Sequence, residues 1–193
     1  MMNVNRPHYL FIRFLLKNVL HAVFCIKGYR IYGRENLPVR RKSAILIANH
    51  AAFIDSVYLI CSLRPRFVIC GAKPKYFQKW MIRQLFFIAN IMKVENHDQF
   101  LKDCGQLLQN NELILIYPEM GRFPEGPGPF KKWAAEVALS NRVPVIPCYL
   151  YGTTGGQSGK KCLTVGPAIT AEGDPEALTQ LFRKSIIDLN PHP

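Results

Sequence analysis

A chain of 193 residues, 49% hydrophobic and 20% charged, is long enough to bury one sizeable core and short for two. Its 25 Lys+Arg against 13 Asp+Glu give a formal charge of +12, and residues 1–42 carry +8 of it, with Glu35 their single acid. Such a field selects anionic partners, whether nucleic acid, an anionic bilayer or a phosphorylated cofactor, and excludes none of the three by itself.

The N-terminal pattern separates them. From Tyr9 to Ile26 the run is apolar except for Arg13, Lys17 and His21, each four residues after the last. The three therefore share one helical stripe, while Leu10, Phe11, Phe14, Leu15, Val19, Leu20, Val23 and Phe24 cover the rest. The longest charge-free run within it, Asn18 to Ile26, has half the length a hydrocarbon core requires, and the same charges spoil a signal-peptide apolar region. The pattern predicts a helix lying in a membrane interface, its apolar arc in the bilayer and its basic stripe against anionic headgroups. The competing arrangement is a helix packed on the protein's own core with the stripe solvated. Residues 1–30 form a membrane-associating helical segment on this reading, and 31–193 the catalytic domain. Nucleic acid is set aside, since no aromatics interleave with Lys/Arg on a sheet face and RNP-type motifs are missing.

Further along, short β-rich runs occur at Tyr29 to Tyr32, Ser43 to Ala48, Arg66 to Cys70, Leu113 to Tyr117, Val143 to Tyr149 and Leu163 to Val165. Helical patterns such as Asp98 to Gln109 and Lys132 to Ser140 separate most of them. That alternation predicts an α/β single domain, a mostly parallel sheet flanked by helices. The segment Gln78 to Ala89 carries Lys79 and Arg83 four apart among aromatics and is a second candidate membrane element, or an ordinary core helix. At the C-terminus Asp174 reads as an N-cap and Pro175 as the first helical residue, with Leu178, Leu181, Phe182, Ile186 and Leu189 on one face.

Chemistry enters at Asn49-His50-Ala51-Ala52-Phe53-Ile54-Asp55, directly after the strand Ser43 to Ala48. A histidine that takes a proton from a hydroxyl near neutral pH works better when a carboxylate fixes its tautomer and stabilises the imidazolium. On one unbroken helix residues i and i+5 stand roughly 140° apart, too far round to bond. The pair makes sense only across a turn, with Asp55 opening the next helix. No G-x-S-x-G occurs and no cysteine sits beside a base, so no acyl nucleophile stands out. The six cysteines read as reduced core residues, with neither zinc nor disulfides indicated. His97-Asp98 with Glu95 reads as a polar turn rather than a metal cluster. Gly155 to Lys160 fails as a phosphate loop, because Thr154 and Lys161 stand where Gly and Ser/Thr are required.

Five ordered blocks along most of the chain resemble the glycerolipid acyltransferase family, its lysophosphatidic acid acyltransferase (PlsC-like) group. Gly33-Arg34-Glu35-Asn36-Leu37-Pro38 is similar to the family's G-x-E-n-l-P turn, and Asn49-His50 through Asp55 to its N-H-x4-D motif. Tyr117-Pro118-Glu119-Met120-Gly121-Arg122 resembles the F-P-E-G-T-R block, Val143 to Pro147 the proline-bearing strand, and Val165 to Ile169 the C-terminal strand. The resemblance implies transfer of an acyl group from acyl-CoA or an acyl carrier protein to a lysolipid hydroxyl, at the cytoplasmic face of a membrane and with no cofactor or metal. It implies His50 as general base, Asp55 as its orienting acid, and Arg122 and Glu119 in the acceptor-binding block. Backbone amides of Phe53 to Asp55 are candidate oxyanion donors.

Two departures bear on the acceptor. Met120-Gly121 stands where the family block has Gly-Thr, and Ala89 to Glu95 offers Glu95 where a second arginine is expected, leaving Lys93 as the cation nearby. Lys73, Lys131 and Lys132 are further candidate anion contacts. A carboxylate at the acceptor phosphate would repel it, so Glu95 puts glycerol-phosphate acceptors in question and keeps an aminolipid, a glycolipid or a catalytically inactive membrane-binding relative as alternatives.

Overall fold

The computed structural model describes residues 7–26, 28–38, 42–63, 66–154 and 161–191. Its centre is one seven-stranded sheet: β1 (Arg30–Tyr32), β2 (Ala44–Ala48), β3 (Val68–Ala72), β4 (Met92–Lys93), β5 (Leu113–Ile116), β6 (Val145–Tyr151) and β7 (Cys162–Val165). The strands run in the order β1-β7-β6-β2-β5-β3-β4, and every neighbouring pair is parallel except β6 with β7. β2, β5 and β6 are buried at every position, the continuous apolar pattern that a sheet covered on both faces demands.

Ile45, Ile47, Ile114 and Ile116 point to one face and pack under α4 (His97–Gln109), α5 (Trp133–Asn141) and α6 (Pro175–Ile187). Leu46, Ala48, Leu113 and Leu115 point to the other and pack under α2 (Asp55–Ser62). The expected α/β architecture is what forms. β4 escaped sequence reading because two residues carry no periodicity. Local signals hold where side chains supply them: Asp174 Oδ2 accepts from Glu176 N and Ala177 N, and Asn96 caps α4 by accepting from Gln99 N at 2.9 Å. Gly33, at φ 70, is required by space as well as by its backbone, since a Cβ there would lie 2.0 Å from Val165 O. Asn36 Nδ2 donates to that same carbonyl at 2.9 Å, which ties the Gly33 to Pro38 turn to β7.

α1 (Pro7–Ile26) is helical as expected, but its polarity is reversed. Lys17, 5% exposed, and His21 are buried against the protein instead of facing outward. The Lys17 ammonium donates to Leu63 O at 3.2 Å and to Arg66 O, and lies 5.3 Å from the centre of the Phe67 ring. Leu63 is the C-cap of α2, where unpaired carbonyls and the negative end of the helix dipole attract a cation. That attraction outweighs solvation of the stripe. Phe11, Phe14, Leu15, Val19 and Val23 are consequently exposed. The side chain of Arg13 lies outside the described residues. Lys17→Met should leave two carbonyls without this donor and lower unfolding stability by about 1–3 kcal/mol, read from the urea midpoint.

α3 (Trp80–Ala89) packs against α1 and presents Trp80, 67% exposed, and Met81, 76% exposed. Among the described residues no helix is long and apolar enough to cross a membrane. Five described cysteines are buried free thiols, and no group of three metal-ligating side chains occurs among the described residues. The glycine-rich segment from Gly155 to Lys160 lies outside them.

Candidate active site

β2 stops pairing with β6 at Ala48, and the next side chain takes over the ladder. Asn49 Nδ2 donates to Leu150 O at 3.0 Å while Leu150 N donates to Asn49 Oδ1 at 2.7 Å. With its amide satisfying β6, the backbone is released to turn, and His50 emerges at the carboxyl end of the sheet. Asp55 opens α2 as expected, 0% exposed. Its Oδ2 accepts from Ala51 N and Ala52 N, both at 2.7 Å, and from His50 Nδ1 at 3.1 Å. The carboxylate that shapes the turn thus also holds the imidazole. A proton held on Nδ1 leaves the Nε2 lone pair available. The ring is further fixed by Tyr117, stacked at 4.1 Å and 17°, whose hydroxyl meets Ser56 Oγ at 3.1 Å.

Glu119 sits behind His50 and does not line the cavity. Its Oε2 accepts from His50 N at 3.1 Å and its Oε1 from Gly128 N at 3.3 Å, while Phe123 N donates to His50 O at 2.7 Å. The turn after β5 therefore braces the backbone of the histidine from both sides. Burial pushes the Glu119 carboxyl up from 4.5 to about 7, against the two amide hydrogen bonds. Because the folded-state value lies above the unfolded one, the folded protein holds the extra proton between those values. The contribution of this carboxyl to stability is greatest at the acid end of that window and falls by about 3 kcal/mol as pH rises through it. Glu119→Gln should remove this decline, seen by comparing the unfolding of both proteins at the two ends of the window.

His50 opens into a cavity of about 800 Å³. Leu16 and Leu20 of α1, Val57 and Ile60 of α2 and Phe86 of α3 form an apolar wall, and Lys73, Lys75 and Arg122 place cations on the same cavity. Arg122 Nη2 donates to Tyr76 OH at 2.6 Å. Lys73 and Arg122 both line the cavity. Lys93 does not: it lies outside the wall, its ammonium 2.6 Å from Glu95 Oε1. Glu95 does line the cavity, but Lys93 cancels its charge, which weakens the expected repulsion of a phosphate. Phe53 and Ile54 N–H have no hydrogen-bond partner among the described residues, whereas Asp55 N donates to Ala52 O, so Asp55 drops out as an oxyanion donor. His97, expected in a solvated turn, is the first residue of α4 and bonds Glu136 through Nε2 at 2.6 Å. Sequence reading missed Tyr117 as the ring support and Lys75 as a cavity cation, because neither is near His50 along the chain. Asn49 lay in plain view inside the motif, but its partner on β6 did not.

A histidine oriented by a buried aspartate, at the carboxyl end of a mostly parallel sheet and beside a cation-rimmed apolar cavity, is a site equipped to take a proton from a hydroxyl. The acyltransferase family profile matches residues 28–151, and the chain belongs to that family. It is 30% identical over 157 residues to the chloroplastic 1-acyl-sn-glycerol-3-phosphate acyltransferase BAT2 of Brassica napus, covering 75% of this chain and 42% of that protein. The 1-acyl-sn-glycerol-3-phosphate acyltransferase of Bacillus subtilis is 24% identical over 157 residues, covering 77% of this chain and 78% of that one. The chain thus spans under half of the Brassica protein. The crystal structure of the 1-acyl-sn-glycerophosphate acyltransferase PlsC from Thermotoga maritima superposes with a TM-score of 0.72 at 18% identity, over 100% of this chain and 85% of that chain, and shares its fold.

Proposed function

We propose that this protein transfers a fatty acyl group from a thioester donor, acyl-CoA or an acyl carrier protein, to the free hydroxyl of 1-acyl-glycerol-3-phosphate in phospholipid biosynthesis. The observation that carries this reading is the His50–Asp55 pair opening into a cavity that combines an apolar wall with Lys73, Lys75 and Arg122. His50 Nε2 removes the proton from the acceptor hydroxyl, whose oxygen bonds to the thioester carbonyl carbon. The amides of Phe53 and Ile54, beside the histidine at the start of α2, are the candidate donors to the developing oxyanion. The tetrahedral intermediate collapses, the C–S bond breaks, and the imidazolium returns the proton to the departing thiolate. Direct transfer is supported by the cavity's thiols: burial pushes Cys61 up to about 11 and Cys70 up to about 12, so neither offers a thiolate.

Lysophosphatidic acid is favoured over neutral-headed acceptors because Lys93 neutralises Glu95 while Lys73, Lys75 and Arg122 remain on the wall. The names borne by the Brassica and Bacillus relatives agree with that acceptor. The site works at a membrane surface, as a peripheral or monotopic protein, because α1 and the start of α3 expose large apolar side chains beside the cavity. A cytoplasmic face suits its free thiols. The test is transfer from acyl-CoA and from acyl carrier protein to lysophosphatidic acid, lysophosphatidylethanolamine and a monoacyl glycolipid. Formation of phosphatidic acid should dominate, and preference for a neutral head would overturn the acceptor assignment.

A further inference from the structure

α6 contributes no residue to the cavity wall, yet it is tied to His50. Arg183, half-buried on that helix, donates from Nε to Gly128 O at 3.2 Å and from Nη2 to Pro127 O at 3.3 Å. The carbonyl of Pro127 and the amide of Gly128 are the two ends of one peptide group, and that amide donates to Glu119 Oε1 at 3.3 Å. The other oxygen of Glu119 accepts from His50 N at 3.1 Å. Three hydrogen bonds therefore lead from a guanidinium on the last helix to the backbone of the histidine. A donor on the oxygen of an amide polarises it and strengthens its N–H as a donor. Pro127 and Pro129 on either side offer no N–H, which leaves Gly128 to make this contact. The Gly128 backbone rests on the Phe123 ring, where a Cβ would come within 2.6 Å of it, and Phe123 N donates to His50 O at 2.7 Å. The loop that Arg183 grips thus carries contacts to both sides of the His50 backbone.

Charge acts along the same path. Glu119 faces Asp55 of α2, Tyr149 of β6, Arg183 of α6 and His50 itself. Burial raises its carboxyl, the two amides lower it, Asp55 raises it and Arg183 lowers it, with a balance at about 7. Both oxygens accept an N–H, and a proton on either weakens it as an acceptor, so the ionised carboxylate is the form that holds both amides. We propose that Arg183 is a positioning residue for the acyl-transfer reaction: acting through the Pro127–Gly128 peptide and Glu119, it keeps that carboxylate on the backbone of His50 and the imidazole in register with the acceptor hydroxyl. This rests on the acyl-transfer reading above, since proton abstraction at Nε2 is what the register serves. Misplacing a reacting group by about 1 Å costs about 100-fold in rate, and Asp55 and Phe123 still hold the histidine when Arg183 is gone, so the expected loss is smaller.

Arg183→Met in the full chain should lower kcat about ten-fold and leave the KM for donor and for lysophosphatidic acid within about two-fold, because Arg183 lines no part of the cavity. The acid limb of kcat against pH should move to higher pH, since Glu119 loses a cation that favours its ionised form. Arg183→Lys keeps the charge and should return that limb to its place. In Glu119→Gln protein the path is already cut, so adding Arg183→Met should change kcat by less than about two-fold. Nuclear magnetic resonance gives a reading that needs no turnover: the Gly128 amide proton should titrate with Glu119 at about pH 7, and Arg183→Met should raise that midpoint. Arg183→Gln, which drops the charge and keeps one donor, replaces Arg183→Met if the latter does not fold. An unmoved midpoint, an equal loss of kcat in the Glu119→Gln background, or a raised KM with kcat intact overturns the proposal, the last by placing the effect at Arg122 on the same loop. If the unaltered protein forms no lipid product, the acyl-transfer reading fails, while the amide titration still decides whether Arg183 controls Glu119.

Discussion

Replacing His50 with alanine should lower the acyl-transfer rate by about 10²–10⁴-fold, the usual contribution of a positioned general base, while the protein remains folded. Asp55→Asn should cost a comparable factor by a different route. An asparagine oxygen can still accept from Ala51 N and Ala52 N, so the turn survives, but the negative charge that stabilises an imidazolium at 3.1 Å is gone. Asp55→Ala removes all three acceptor bonds at once and should destabilise the fold as well. Since both residues serve one proton transfer, the His50→Ala, Asp55→Asn double variant should be little slower than either alone. Steady-state rates with thermal unfolding as the folding control make the comparison. Near-normal turnover in folded His50→Ala protein would remove the histidine from the mechanism.

The second large effect is expected at the membrane. Phe14 and Val19 are exposed on the outer side of α1, and each contributes about 1.5 kcal/mol or more on leaving water. Phe14→Glu with Val19→Glu should therefore reduce partitioning onto liposomes by about 100-fold. The pattern of Arg13, Lys17 and His21 read along the sequence predicts release at high salt, because headgroup attraction is screened over about a Debye length. Burial of Lys17 and His21 changes that expectation. Attachment through the apolar side of α1 should persist in high salt and extend to liposomes of neutral lipid. Co-sedimentation across a salt series separates the two, and an unaltered double variant would move the attachment to Trp80 and Met81 on α3.

The reversal of α1 shows where sequence reading ended. An amphipathic pattern states that two faces differ, not which of them meets the protein, and here the deciding partner was a helix C-terminus more than forty residues away at Leu63. Lys93 and Glu95 pose the same difficulty at shorter range. Lys93 is expected as a substrate contact and Glu95 as a source of repulsion, yet Lys93 ends the short strand β4, Glu95 follows two residues later, and the two bond each other.

Local chemistry alone determined several features: the alternation of buried strands and helices, the Asp174 and Pro175 helix start, the glycine at position 33, and the His50–Asp55 pair. In each the physical cause lies within a few residues, whether a cap, a turn or a five-residue reach across a strand-to-helix junction. The tertiary structure decided everything that depends on residues meeting from separate elements. It set Asn49 against β6, Glu119 behind His50, Tyr117 on the imidazole ring, and Lys73, Lys75 and Arg122 around one cavity. Those contacts arise because parallel strands all deliver their loops to the same carboxyl edge of the sheet, so groups distant along the chain converge there only once the sheet has formed.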